Sequence, residues 1–215
     1  MSQRSNKEAT YDRAGMKDNR VGYGRQPAVL VVDLQRDLTD PESPLGADLA
    51  TEIKETNRII DAARASETPV VFTRIITTHD DDEDLGIWVE KIPTLKMHQP
   101  ETDWVKIDSR IDFRESDHLL EKRHSSSFYG TELESMLTTW GVDTLIVTGC
   151  STSGCIRATV TDACARGYRV VVPESCVGDR SSEQHEANLY DIEAKFGDVR
   201  PTDEVENYLC DWQAE

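Results

Sequence analysis

From Leu145 to Thr159 the chain reads Leu-Ile-Val-Thr-Gly-Cys-Ser-Thr-Ser-Gly-Cys-Ile-Arg-Ala-Thr, and no other stretch limits its folding so strongly. The opening residues are apolar and β-branched, which predicts a buried strand. The run breaks at Gly149, passes through small hydroxyl residues, reaches Cys155 and continues into a helical pattern as far as Arg166. Strand, tight turn and helix present a side chain at the carboxyl edge of a parallel sheet. A thiol placed there meets the free N–H groups and the positive pole of a helix start, which favour its thiolate. Cys155 is therefore a candidate nucleophile; the plainer reading is a packing cysteine.

The rest of the chain supplies a sheet for that turn. Pro27-Ala-Val-Leu-Val-Val-Asp33 is apolar until its end, as a central parallel strand should be. Asp48 to Ser66 places Leu49, Ile53, Ile59, Ile60 and Ala63 at helical spacing, with Asp48 as a possible N-cap. Thr68 to Arg74 is predicted as a second strand, Asp117 to Lys122 as a third, and Tyr168 to Pro173 as a fifth after the Cys155 unit. Helices are predicted over Glu132–Trp140, Ser181–Phe196 and Thr202–Trp212, with a short strand from Asp198. Strands alternating with helices predict a three-layer α/β/α sandwich on a mostly parallel sheet. Residues 1–24 are polar without clear periodicity and read as an N-terminal arm ahead of one domain, 25–215. Thr77 to Ile107 reads as a long irregular loop, too rich in Trp88, Met97 and Trp104 for a linker, and so a pocket wall or a subunit contact. The acidic run Asp80 to Asp84 reads as a solvated face.

Charge narrows the partners. The chain of 215 residues carries 24 basic and 41 acidic side chains, a net charge of −17. That balance argues against nucleic acid, which wants a basic patch. Only eight of the 24 basic residues are Lys, and acids are spread throughout, so a surface suited to high salt and a plain acidic protein are both open readings. The N-terminal residues lack the apolar core of a signal peptide, and no run approaches the roughly 18 apolar residues of a membrane span. A cytoplasmic protein without membrane association is expected. The five cysteines are odd in number and follow no C-x-x-C spacing, so free thiols and no zinc set are expected.

Asp33, Lys122 and Cys155 fall at the carboxyl ends of three predicted strands. Together they make a coherent hydrolytic set: a thiolate to attack a carbonyl, an ammonium beside it, and a carboxylate to take and return a proton. At these residues the sequence resembles the isochorismatase-like cysteine hydrolases, in the branch of the N-carbamoylsarcosine and maleamate amidohydrolases. The resemblance rests on Ala28-Val-Leu-Val-Val-Asp-Leu-Gln35, on Lys122 ahead of Ser126-Ser-Phe-Tyr-Gly-Thr131, and on Thr148-Gly-Cys-Ser-Thr-Ser-Gly-Cys-Ile-Arg-Ala-Thr159. Val177-Gly-Asp-Arg180 and His185-Glu-Ala-Asn188 extend it, to about residue 200.

The resemblance implies that Asp33, Lys122 and Cys155 form a catalytic triad and that the Cys150–Ser151 peptide bond is cis. It implies an oxyanion hole from the N–H groups of Ser151 and Cys155. Relatives of this branch release ammonia from small amides or ureides that carry a carboxylate, N-carbamoylsarcosine or maleamate among them, and form dimers or tetramers. Arg180 is then a candidate for the carboxylate, with an ion pair to one of the many acids as its other reading. Thr152 is a candidate substrate contact or a helix cap. Nicotinamidases of this fold carry an Asp-x-His arrangement after the first strand; here Asp33 is followed by no His, so no metal and no cofactor is expected. True isochorismatases lack the nucleophilic Cys, and Ser127 stands where Ala or Pro is more usual. Rival readings are a non-catalytic small-acid binder and a thiol redox protein using Cys150.

Overall fold

The computed structural model describes residues 3–16, 19–78 and 83–212. The elements in chain order are α1 (Gln3–Arg13), β1 (Pro27–Val32), α2 (Arg36–Thr39), α3 (Ala50–Ala65), β2 (Val70–Ile75), α4 (Ile87–Lys91) and β3 (His118–Lys122). There follow α5 (Leu133–Thr139), β4 (Thr144–Cys150), α6 (Arg157–Ala165), β5 (Arg169–Pro173), β6 (Val177–Gly178), α7 (Ser182–Lys195), β7 (Asp198–Arg200) and α8 (Thr202–Asp211).

The strands form one sheet in the order β3-β2-β1-β4-β5-β7, with the short β6 beside the end of β4. Every pairing among them is parallel. Each residue of β1 and β4 is buried, which is why both read as unbroken apolar runs. Successive side chains alternate between two cores. Leu30, Val32, Leu145, Val147 and Val170 face α5, α6 and α7 through Leu137, Val160, Ala163 and Ile192. Val29, Val31, Phe72, Ile146 and Val171 face α3 and α8 through Ile53, Ile60, Ala63, Val205 and Leu209. Each such side chain contributes about 1.5–3 kcal/mol by leaving water. The architecture is the three-layer sandwich that the alternation of strands and helices predicts.

Some local structure departs from the sequence reading. Residues 3–13 form a helix, although no periodicity marks it; Tyr11 packs edge-on against Tyr190 of α7, and Lys195 lies over the same ring. Further along, the N–H groups of Val21 and Gly22 donate to the Asp198 carboxylate. The stretch after β2 is not wholly irregular: it holds α4 and 3-10 turns at Pro93–Met97 and Asp103–Val105. Helix α3 begins at Ala50, with the Asp48 carboxylate accepting the Ala50 N–H at 3.2 Å. Asp80 to Asp82 of the acidic run lie outside the described residues. All five cysteines are free thiols. Among the described residues no helix is long and apolar enough to cross a membrane.

Candidate active site

β1 and β4 are adjacent, yet the chain leaves β1 toward β2 and returns to β4 on the other side. A crevice opens at the carboxyl ends of strands where the order reverses like this. Asp33 follows β1 directly. Its backbone is left-handed, φ 50°, a conformation L-residues adopt at a cost of about 1–2 kcal/mol. Two contacts with Thr73 of the neighbouring strand hold it: the Asp33 N–H donates to Thr73 O at 3.1 Å, and Thr73 Oγ1 donates to Asp33 Oδ1 at 2.7 Å.

Lys122 ends β3, two strands away, and its long stem carries the ammonium to the same point. Nζ lies 2.7 Å from Asp33 Oδ2 and 3.4 Å from Cys155 Sγ. It also donates to the carbonyls of His124 at 2.9 Å and Ser125 at 3.0 Å. Asp33 and Lys122 are wholly buried, and Cys155 is 6 % exposed. The three residues singled out in the sequence thus meet at one point.

Cys155 sits in a π-helical turn, Thr152–Ile156, that leads into α6. The Cys150–Ser151 peptide bond is cis, as the resemblance implies. The turn is pinned from the β6 side: the Ser153 N–H donates to Asp179 Oδ2 at 2.6 Å, and the Arg180 N–H donates to Asp179 Oδ1 at 2.8 Å. Thr152 is buried behind the turn, where its Oγ1 meets His185 Nδ1 at 2.8 Å. Its hydroxyl is therefore engaged with α7 rather than brought to the crevice. Cys150 is buried as well and donates to the Asp33 carbonyl at 3.2 Å.

The electrostatics of the three groups oppose one another. Burial is the largest influence on the Cys155 thiol and raises it; Lys122 lowers it, Asp33 raises it again, and it stands at about 12. Burial thus favours the protonated form of the Cys155 thiol, against the pull of the helix start and of the Lys122 ammonium toward the thiolate. Burial would lower the Lys122 ammonium, but the Asp33 and Cys155 charges, and hydrogen bonds to both, hold it above the ordinary lysine range. Burial, with the Asp33 charge, likewise raises Cys150 far above the usual thiol range. A protonated thiol beside an ion-paired carboxylate suits concerted proton removal and attack on an electrophilic carbon.

In front of Cys155 opens a cavity of about 600 Å³, bordered by Ser151, Ser153 and Arg180 among others. Arg180 is exposed at its edge, with Nη1 donating to Leu45 O at 2.8 Å. Sequence reasoning missed three supports of this site. Thr73 is one, although a polar residue in the apolar run of β2 was a usable signal. Asp179 is another, quoted in the resemblance without a role. The third is a fully buried pair, Asp37 with His98, on the cavity side of α2; a single His in a long loop carries no signal of such a contact. Among the described residues no group of three or more His, Cys, Asp and Glu is placed to hold a metal ion.

The isochorismatase domain profile matches residues 27–204. The chain belongs to the isochorismatase family. It is 42% identical over 204 residues to the N-carbamoylsarcosine amidase of Arthrobacter sp, covering 93% of this chain and 76% of that protein. It is 38% identical over 186 residues to the maleamate amidohydrolase of Pseudomonas putida, covering 86% and 87% respectively. A cysteine hydrolase structure from Pseudomonas syringae pv. phaseolicola superposes with a TM-score of 0.84 at 24% identity, over 89% of this chain and 97% of that one, a likeness of fold. Within the family this chain is an amidohydrolase, an enzyme of carbon–nitrogen bonds other than peptide bonds.

Proposed function

We propose that the chain uses Cys155 to release ammonia from a small amide or ureide that carries a carboxylate, with N-carbamoylsarcosine as the first choice and maleamate as the alternative. The relatives named above support that choice. The observation that carries the mechanism is the contact of one buried ammonium, Lys122, with both Asp33 and Cys155.

Asp33 takes the thiol proton as Sγ attacks the carbonyl carbon. Lys122 steadies the charge that passes between sulfur and carboxylate. The oxyanion is held by the N–H groups of Ser151 and Cys155, a pair in which loss of one donor costs about 2.7–4 kcal/mol. The carbon–nitrogen bond then breaks, and ammonia leaves with the proton from Asp33. Water, deprotonated by Asp33, attacks the acyl–sulfur carbon and frees the thiol. A ureide gives an N-carboxylated amine in this step, which loses carbon dioxide. The Arg180 guanidinium at the cavity edge receives the substrate carboxylate; Thr152 acts through His185 on the shape of the turn. A homo-oligomer, dimer or tetramer, and a fold that gains stability in salt belong to the same proposal.

The test is ammonia release across a panel of N-carbamoylsarcosine, maleamate, nicotinamide and simple amides without a carboxylate. Turnover is expected for the carboxylate-bearing amides or ureides. Turnover of nicotinamide or the neutral amides alone contradicts the proposal.

A further inference from the structure

The cavity before Cys155 has two unlike walls. The wall on the nucleophile side, from the Cys155 turn and α6, is polar and includes Ser153, Arg157 and Asp162. The opposite wall comes from the end of β2 and from the connections that follow β1 and β2. It is mostly apolar, with Leu38, Leu45, Ile75, Trp88, Ile92 and Leu95 beside the buried His98. Arg180 stands where the walls meet, bonded to the carbonyl of Leu45. The volume, about 600 Å³, lies within the range of sites that enclose a small molecule, roughly 300–1,000 Å³. A ureide of sarcosine or glycine has a carboxylate for Arg180 and a carbonyl for Cys155. It has nothing larger than a methyl group to set against the apolar wall, of which Leu45, Trp88 and Ile92 are the more accessible part.

We propose that the substrate carries a branched or aromatic apolar group on the carbon next to its carboxylate, as in the N-carbamoyl derivatives of leucine or phenylalanine. The apolar group packs on Trp88, Ile92 and Leu95, while the carboxylate meets Arg180 and the ureido carbon meets Cys155. This rests on the amidohydrolase mechanism proposed above, and it moves the preferred substrate from N-carbamoylsarcosine to bulkier N-carbamoyl amino acids. Each methylene moved from water onto that wall is worth about a fourfold gain in kcat/KM.

The experiment is kcat/KM for ammonia release from the N-carbamoyl derivatives of glycine, sarcosine, alanine, valine, leucine and phenylalanine. The expected result is a rise along the series, with leucine or phenylalanine exceeding glycine by at least about tenfold. Leu95→Ala and, separately, Trp88→Ala should shrink the leucine-to-glycine ratio, a readout insensitive to the fraction of protein that folds. Trp88 is only partly buried, so its variant keeps the test available if Leu95→Ala folds poorly. A ratio near one, or a preference for glycine or sarcosine, overturns the inference and leaves the mechanism standing. Release of ammonia from none of these, nor from maleamate, overturns the mechanism and the inference with it.

Discussion

Lys122 has three protons and four acceptors: a carboxylate, a thiol and two carbonyls. An ammonium so enclosed cannot swing away, so the distance between Asp33 and Cys155 is set by a residue bonded to both. Breaking such a buried pair by removing one partner costs about 3–5 kcal/mol, which makes Lys122 a structural as well as a chemical component. The thiol beside it, raised to about 12, gives a pH prediction. Below its pKa the thiolate fraction grows tenfold with each pH unit, and only the thiolate is alkylated. Carbamidomethylation of Cys155 by iodoacetamide, read by peptide mass because Cys164 and Cys210 are exposed, should therefore climb between pH 7 and 10 without a plateau. A plateau near pH 7 means a thiolate at rest and contradicts the assignment of Asp33 as the base that must act during attack. The identities of Asp33, Lys122 and Cys155 were legible because each falls at, or in the turn just beyond, the carboxyl end of a predicted strand. The protonation of the thiol was not, since it depends on burial that no local pattern states.

The parallel pair of β1 and β4 is the element on which the site hangs. Gly149 lies opposite Val32 in the register, with φ 109°, and a Cβ added there would meet Val32 O at 2.0 Å. Gly141, also left-handed at φ 68°, faces open space. Gly149→Ala should lower stability in urea by at least about 2 kcal/mol more than Gly141→Ala, which carries only the left-handed cost of about 1 kcal/mol. Equal losses mean that the close approach of β1 to β4 is not a constraint. At this scale the long strands and helices could be read from period and composition. The four-residue α2, the two-residue β6 and the π turn could not. α2 is held by partners far along the chain, such as the Arg36 N–H on Lys106 O and the paired bonds of Gln35 with Ile75. Helix α1 is likewise tied by a tertiary contact, Tyr11 on Tyr190, rather than by an apolar stripe.

Across the whole molecule, charge and topology act at long range. A net charge of −17 repels itself, and salt screens that repulsion over a Debye length of about 10 Å at 0.1 M and about 3 Å at 1 M. The melting temperature should rise between 0.05 M and 2 M KCl; a flat or falling curve contradicts the salt proposal. Topology does the larger task. Residues 33, 122 and 155 come from three separated parts of the chain, and only the parallel sheet with its reversal at β1 and β4 brings them together. The convergence makes sense if Cys155 is acylated in turnover. That is measured by quenching the enzyme in acid during turnover of an accepted amide or ureide and weighing the protein. The expected result is an added mass equal to the acyl group on Cys155 and, for Cys155→Ala, neither adduct nor ammonia release. Ammonia release at the wild-type rate by Cys155→Ala would contradict the account.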